Sequence, residues 1–426
     1  MIAILIISLL VFFFLGVPVA VALGLSSLLA IIVSGDMTIL AVLQRIFVSL
    51  DSFTLMAIPL FILAGVIMEY GGISQKLINF ANALTGHIRG GLALVTVVTT
   101  LFFAAISGSS VAATAALGSI LIPAMIRRGY HKEFASGVQG ISGTLGIILP
   151  PSIPLILYGV AAGASIGDLF VAAFVPGLII GLGLMITVMI IAKKRDYQTE
   201  PKTSAKGLLK AFVEAIPAIL MPVIILGGIY SGIFTATEAA GVAVVYAFLV
   251  SVLIYKGITF KNISTVLTSA TETTASIMFI LGAAGLFSWI LTIENIPQQV
   301  ATTITSISDN PSIFLLFVAL LLLLVGMFME TNAAIMILAP ILVPIAIEVG
   351  VDPVHFGIVM IVTLALGMVT PPMGLNLFVV GKISNTRIDK LTRTLIPFYI
   401  SVLIAIVIIT FIPGISMFLV DIFDAK

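Results

Sequence analysis

The 426-residue chain contains no cysteine, only three histidines and few charged residues. The missing cysteine excludes disulfides, thiol nucleophiles and thiolate metal sites. His87, His131 and His355 each fall in a predicted polar connection, so a histidine zinc centre is not expected. The formal net charge of +1 gives no indication of nucleic-acid binding.

Charged residues make up 9% of the chain and hydrophobic residues 61%, whereas a soluble domain carries about 25% charged residues. The composition therefore excludes a soluble fold and predicts an all-α polytopic membrane protein with about ten spans. The predicted apolar segments are 1–15, 18–34, 53–70, 91–106, 110–126, 132–163, 170–192, 212–231, 236–255, 272–294, 313–328, 332–349, 354–384 and 395–420. Segments 36–50 and 257–271 are mixed in character and are predicted as amphipathic helices along the membrane face.

The second half of the sequence repeats the first at an offset of 221 residues, since 371 − 150 = 221. At this offset Pro150-Pro151 aligns with Pro371-Pro372, and Gly146 aligns with Gly367. Glycine and proline determine backbone geometry. Their alignment therefore predicts matching bends rather than a chance similarity between apolar segments.

Lysine and arginine concentrate in cytoplasmic loops, and this bias gives the orientation of the two repeats. With the segment 193–211 inside, 17 basic residues lie inside and only Arg45 and Lys426 lie outside, which accounts for all 19. Both termini are then outside and the repeats have opposite orientations. This threading requires two hairpins that enter and leave on one face and two helices broken in the membrane, as in many transporters.

The predicted organisation follows from this threading. Inverted repeat 1 covers 1–192, a cytoplasmic linker covers 193–211, and inverted repeat 2 covers 212–426. Each repeat contains scaffold spans, a re-entrant hairpin and a broken helix, at 1–70, 91–126 and 132–163 in the first and at 212–294, 313–349 and 354–384 in the second.

Each Pro-Pro pair interrupts an apolar span that is predicted to face a polar hairpin tip. Two prolines remove two amide donors, and the carbonyls before them lose their helical partners. In hydrocarbon such groups must meet protein, water or a cation. Carbonyls with Ser and Thr hydroxyls are hard oxygen ligands that suit Na⁺, and half-helix N-termini suit a substrate carboxylate. The alternative is that the prolines are packing kinks and the Ser-Gly run is a tight turn.

Glu330 is the only acid predicted inside a hairpin, and intramembrane acids usually mark function. A tip that reaches interfacial water is the alternative, and both stay open. We predict substrate contacts at the two tips, from Ser110, Glu330, Thr331 and Asn332. By contrast, Glu69 lies near a span end, where a solvated carboxylate is the expected state.

Three stretches resemble the large membrane subunit of the tripartite ATP-independent periplasmic (TRAP) transporters. They are Ala57 to Gly65, Ile106 to Ala113 and Gly367 to Phe378, the last reading GMVTPPMGLNLF. The resemblance implies an elevator mechanism in the bacterial inner membrane, with both termini periplasmic. It also implies Na⁺ coupling, a small four-helix membrane subunit, and a periplasmic binding protein that delivers a carboxylate such as a sialic acid or a C4-dicarboxylate.

The resemblance also implies two sodium sites. The first would use Ser107 and Ser109 with the backbone around Gly146, Leu149 and Pro151. The second would use Gly326 with Gly367, Thr370 and Met373. Leu149 aligns with Thr370, so the first site lacks that hydroxyl and depends there on a carbonyl.

Two rival functions remain. One is a secondary carrier of a related inverted-hairpin family that works without a binding protein. The other is an intramembrane hydrolase with Ser107 or Ser109 as nucleophile, which needs a base in reach, and no His or Lys lies within a predicted span. A purely structural scaffold is disfavoured, because it has no need of two broken helices.

The predicted threading can be tested by cysteine labelling, since the chain has no native cysteine. We expect a cysteine at Ser308 to label from outside and one at Ser204 to label only from inside. Labelling of position 204 from the outer face of sealed, oriented vesicles would contradict the threading.

Overall fold

The computed structural model describes residues 1–35, 38–195, 197, 199, 201–307 and 310–424, and every regular element in these ranges is helical. The first-half helices are α1 Ile2–Phe14, α2 Val19–Ser34, α3 Ile39–Leu50, α4 Ala57–Tyr70, α5 Ile73–Thr85, α6 Gly91–Ser107, α7 Ser110–Arg127, α8 Lys132–Ser142, α9 Leu145–Ile148, α10 Ile153–Ala162 and α11 Ile166–Arg195. A 3₁₀ turn, Phe53–Met56, leads directly into α4.

The second half contains α12 Ala205–Tyr230, α13 Ala236–Leu249, α14 Ile263–Ile293, α15 Ile296–Ile307, α16 Pro311–Phe328, α17 Thr331–Glu348, α18 Pro353–Gly367, α19 Leu375–Ser384, α20 Ile388–Phe411 and α21 Gly414–Asp424. A π-helical turn, Val250–Ile254, extends α13. Within the described ranges, nine helices are long and apolar enough to cross a membrane, or up to ten when the bent pair Lys132–Ile148 and Ile153–Ala162 counts as one span. The prediction of an all-α polytopic membrane protein is confirmed.

Local sequence signals explain where several helices begin. The side chain of Thr235 accepts a hydrogen bond from the Glu238 amide, and Glu238 bonds back to the Thr235 amide, which forms a capping box before α13. Asp352 accepts hydrogen bonds from the first amides of α18. These polar caps satisfy helix-end amides that would otherwise lack partners.

Some predicted segments differ from the structure. Segment 257–271 is not a separate amphipathic helix, because α14 begins at Ile263 and continues to Ile293. Val266 and Ala270 are buried, so the inner face of this segment packs like the rest of the span. Segment 395–420 is divided between α20 and α21, which Pro413 separates. Helices α5 and α15 were not predicted, and Ser308 and Lys426 lie outside the described residues.

Most of the helices pack in two groups, to which α11, α15, α20 and α21 are not assigned. The scaffold group, α1–α5 with α12–α14, is held by contacts of α2 and α3 with α14, of α4 with α13 and α14, and of α5 with α12. The hairpin group, α6–α10 with α16–α19, is held by contacts of α7 with α8 and α19, of α16 with α18, and of α17 with α10. The groups meet where α14 contacts α17 and where α4 and α5 contact α6.

Helix bounds in the hairpin group recur at the offset found in the sequence. Helix α7 begins at Ser110 and α17 at Thr331, and 331 − 110 = 221. The two helices end at Arg127 and Glu348, which again differ by 348 − 127 = 221. Both proline pairs have a cis peptide bond between the two prolines.

Tyr158 joins the two broken helices. Its ring packs where Gly357 has no side chain, and its hydroxyl donates a 2.5 Å hydrogen bond to the Pro353 carbonyl. Tyr158 is fully buried. This contact connects α10 with the start of α18, so the two proline breaks belong to one packed unit.

Candidate functional site

The first hairpin tip consists of Ser107, Gly108 and Ser109 between α6 and α7. Gly108 has φ +60°, a left-handed conformation that favours glycine. Ser109 is the N-cap of α7, and its Oγ accepts a hydrogen bond from the Ala112 amide at 3.4 Å. Both serines are half-buried, so their hydroxyls reach the surface of the tip.

This tip lies directly against the first proline break. The Ile153 amide donates to the Gly108 carbonyl at 3.4 Å. A Cβ added to Gly146 would lie 2.7 Å from the Ser109 carbonyl oxygen. Within the break, Ser152 Oγ donates to the Ile147 carbonyl at 2.5 Å. The structure therefore brings together the residues predicted for the first site, with Gly146, Leu149 and Pro151 all buried.

The second tip contains Glu330, which is the N-cap of α17. Its Oε2 accepts hydrogen bonds from the amides of Asn332 at 3.0 Å and Ala333 at 3.4 Å. Its Oε1 accepts from Asn332 Nδ2 at 2.8 Å. Glu330 is half-buried, and it holds the first turn of α17. Thr331 is completely buried, whereas Asn332 is half-buried.

The second tip also meets its proline break through backbone contact. A Cβ added to Gly367 would lie 2.5 Å from Gly326 Cα, so neither position has space for a side chain. The Gly374 amide donates to the Met327 carbonyl at 3.3 Å. Thr370 Oγ1 donates to the Leu366 carbonyl at 2.7 Å, which leaves its oxygen lone pairs available. Met373 is 45% exposed, so this break is more open than the first.

A cavity of about 690 Å³ separates the two tips from scaffold helices α2, α4 and α14. The predicted residues Ser107, Ser109, Ser110, Glu330 and Asn332 line it, and Thr331 does not. The scaffold contributes Glu69, which the sequence analysis assigned to a solvated span end, and three hydroxyl residues that it did not name, Ser269, Thr273 and Ser276. Among the described residues that line this cavity, Glu69 and Glu330 are the acids, and no lysine, arginine or histidine is present.

The prediction for His355 is wrong. Instead of lying in a polar connection it is in α18, where it is 1% exposed. The reason is that Asp352 caps α18 and starts the helix before His355. His355 Nδ1 lies 2.6 Å from Ser416 Oγ and Nε2 lies 3.3 Å from the Thr410 carbonyl. These contacts direct both ring nitrogens toward the C-terminal helices, and neither contacts the tip serines.

Two hairpin tips that meet two proline-broken helices beside a shared cavity define an α-helical membrane transporter. The fold agrees with a solved structure, the YdaH transporter of Alcanivorax borkumensis, with a TM-score of 0.62 at 16% identity over 86% of this chain and 85% of that one. At this identity the likeness concerns the fold alone. A family model described as "Tripartite ATP-independent periplasmic transporter, DctM component" matches residues 6–415.

Relatives of the same family cover most of the chain. It is 43% identical over 396 residues to the C4-dicarboxylate TRAP transporter large permease DctM of Pseudomonas aeruginosa, covering 93% of each. It is 39% identical over 410 residues to the sialic acid large permease SiaM of Vibrio cholerae, covering 96% of each. Against the isethionate permease DctMQ of Oleidesulfovibrio alaskensis it is 44% identical over 408 residues, which are 96% of this chain and 64% of that one.

The chain belongs to the DctM family of TRAP transporter large permease subunits. It is therefore a multi-pass membrane transport protein. The resemblance drawn from Ala57 to Gly65 and from the two tip and break segments is confirmed at the level of the family.

The Thr370 hydroxyl provides a direct test of the second predicted sodium site. Thr370→Val keeps the shape of the side chain but replaces an oxygen ligand with a methyl group. We expect the sodium concentration for half-maximal uptake to rise about tenfold, the effect of losing roughly 1.4 kcal/mol of binding energy. The measurement is substrate uptake in proteoliposomes across a sodium titration.

Thr187→Val is the matched control. Thr187 also donates its hydroxyl to the carbonyl four residues earlier, at 2.8 Å, but it lies in α11 away from the tips. We expect unchanged sodium activation in this variant. Unchanged sodium activation in Thr370→Val would instead show that the Thr370 hydroxyl is not a sodium ligand.

Proposed function

We propose that this chain is the transport subunit of a sodium-coupled importer of a small organic anion in the bacterial inner membrane. The substrate class is a carboxylate such as a sialic acid or a C4-dicarboxylate, which a periplasmic binding protein delivers. The observation that carries the proposal is the shared cavity, which both hairpin tips line beside their proline breaks. The names of the DctM and SiaM relatives support the substrate class.

The charges around the cavity support coupling to a cation. The titratable side chains among its described lining residues are the carboxyls of Glu69 and Glu330. An anionic substrate in a poorly solvated site needs compensating positive charge. Since no basic side chain is among the described lining residues, bound cations at the tips are the natural source of that charge.

The two helix N-termini at the tips differ in their capacity to bind an anion. At α17 the carboxylate of Glu330 already accepts hydrogen bonds from the Asn332 and Ala333 amides. At α7 the cap is the neutral side chain of Ser109. Because helix N-termini favour negative charge, we place the substrate carboxylate near Ser110 at α7. The acceptor oxygens of Glu330 and Asn332 then face the hydrogen-bond donors of the substrate.

The chemistry of both tip regions fits Na⁺. The first proposed site has the hydroxyls of Ser107 and Ser109 with the backbone carbonyls around Gly146, Leu149 and Pro151. The second has the Thr370 hydroxyl with the backbone at Gly326, Gly367 and Met373. All these proposed ligand atoms are oxygens, which a hard monovalent cation prefers. The close contact between Gly326 and Gly367 keeps the second tip and its break within reach of one ion.

An elevator movement is the mechanism we propose. The hairpin group would slide against the scaffold group across the contacts of α14 with α17 and of α4 with α6. The cavity lies between the two groups, so such a slide would carry the substrate with the tips. The offset of 221 between α7 and α17 supports two inverted repeats as the basis of the two end states.

Reconstitution tests the function directly. The chain is placed in proteoliposomes with a small membrane subunit and a candidate binding protein, and uptake of labelled sialic acid or succinate is followed. We expect uptake to require both an inward sodium gradient and the binding protein. Equal uptake without sodium would contradict the coupling, and equal uptake without the binding protein would favour the rival carrier.

The scaffold group is the proposed docking surface for the small subunit. Helices α1 and α2 have 13 and 16 residues, which is short of the roughly 20 residues that span a bilayer. Short spans favour contact with neighbouring helices. Ile32 in α2 and Val245 in α13 are 53% and 59% exposed, so both are accessible to a partner.

We therefore expect cysteines at Ile32 and Val245 to crosslink to the small subunit, and cysteines at Ser109 and Asn332 not to. Mass spectrometry of crosslinked complexes provides the measurement. Crosslinks concentrated at the two tips, or full transport by this chain alone, would contradict docking on the scaffold.

A further inference from the structure

Asn376 is a completely buried residue that lies just after the second proline break, in the first turn of α19. Its Nδ2 donates hydrogen bonds to Ser110 Oγ at 2.8 Å and to the Gly140 carbonyl at 3.1 Å. Its backbone amide donates to the Met368 carbonyl at 3.0 Å. One residue therefore contacts both tip-and-break regions, the first through its side chain and the second through its backbone.

These contacts join distant parts of the chain. Ser110 and Gly140 precede Asn376 by 266 and 236 residues. Ser110 follows Ser109 at the first tip, and Met368 follows Gly367 at the second break. The aligned position in the first half is Leu155, since 376 − 221 = 155, and a leucine has no hydrogen-bond donor. The link is therefore made once, from the second broken helix to the first hairpin.

Two glycines adjoin the Asn376 amide, whose Nδ2 is bonded while its Oδ1 has no hydrogen-bond partner among the described residues. A Cβ added to Gly143 would lie 3.3 Å from Asn376 Nδ2, and one added to Gly140 would contact Val380 at 3.4 Å. Glycine at position 140 of α8 and at its C-cap, position 143, lets α19 approach closely. A substitution that removes the Asn376 amide takes this donor from the Gly140 carbonyl. Because the site is out of contact with water, no water molecule replaces the lost donor.

We propose that Asn376 is a positioning residue that couples the two predicted sodium sites. This inference rests on the proposed sodium coupling. The first tip cannot shift relative to the second break without breaking the bond between Ser110 and Asn376. Binding of Na⁺ at either break then stabilises the arrangement that the other ion needs, and the two ions bind cooperatively.

The test is the sodium dependence of uptake by the complete complex in proteoliposomes, compared between wild type, Asn376→Leu and Ser110→Ala. For the wild type we expect a Hill coefficient of about 2, and for Asn376→Leu a value of about 1. The half-activating sodium concentration should rise about fivefold, because, of the two buried hydrogen bonds that Asn376→Leu removes, only the one to Ser110 joins the two sites. Ser110→Ala should shift both quantities in the same direction.

Gln139→Leu is the matched control. Gln139 is also a buried amide that donates from α8 to the first hairpin, to the Ala113 carbonyl at 3.3 Å, but its side chain makes no hydrogen bond to α19 among the described residues. We expect this variant to keep the wild-type Hill coefficient. If the loss of any buried amide in this region lowered the Hill coefficient, the coefficient would fall in Gln139→Leu as well as in Asn376→Leu. That result would overturn the proposal.

The double variant Asn376→Leu with Ser110→Ala completes a thermodynamic cycle. If the two side chains act through their shared bond, the double variant should have the same Hill coefficient and half-activating sodium concentration as Asn376→Leu alone. Additive effects, or a wild-type Hill coefficient in Asn376→Leu, would contradict the proposal. If Asn376→Leu does not fold, Ser110→Ala decides in its place. A wild type that shows no sodium activation would instead contradict the proposed function itself.

Discussion

Backbone amides and carbonyls in hydrocarbon must find a partner, because each unpaired group costs several kcal/mol. Two proline pairs, Pro150-Pro151 and Pro371-Pro372, interrupt the helical hydrogen bonding of apolar spans, because proline has no amide donor for the preceding carbonyls. At both breaks a hairpin tip packs against the interrupted backbone and forms a backbone hydrogen bond with it. The paired hairpins, their packing and the cavity beside them all follow from this requirement.

Glycine makes the close approach possible at each break. Gly108 provides a left-handed turn at the first tip, and Gly326 and Gly367 let backbone meet backbone at the second. Polar side chains then complete the regions, with Ser109 and Glu330 as caps of the two returning helices. Because one cap is neutral and the other is an acid, the two tips present different chemistry to the cavity. The chemical difference between the tips thus comes from a few side chains on helices that begin at equivalent positions.

The sequence was most informative where glycine and proline mark the backbone. The hairpin helices α7 and α17 begin and end within a residue or two of the predicted segments 110–126 and 332–349. Local pattern was less informative where tertiary burial decides the outcome. The polar residues of segment 257–271 suggested a surface helix, yet most of it continues into the span α14 because Val266 and Ala270 pack inward.

The candidate site could be predicted only in part for a related reason. Its tips and breaks are visible in the sequence because they are contiguous motifs. Glu69 resembled any solvated acid at a span end, and only the packing of α4 places it on the cavity. Asn376 lies inside a motif that the sequence did highlight, but its partner Ser110 is 266 residues away. No periodic pattern indicates a contact of that separation.

Hydrogen–deuterium exchange with and without Na⁺, with K⁺ replacing it at equal ionic strength, tests the central claim most directly. The claim is that cations bind where the hairpin tips meet the proline breaks. It predicts that Na⁺ slows exchange in peptides covering Ile106 to Ala113, Gly146 to Ile153, Gly326 to Ala333 and Gly367 to Asn376, and leaves the scaffold helices α12 and α13 unchanged. Equal exchange in Na⁺ and K⁺ at all four segments, or protection confined to the scaffold, would contradict it.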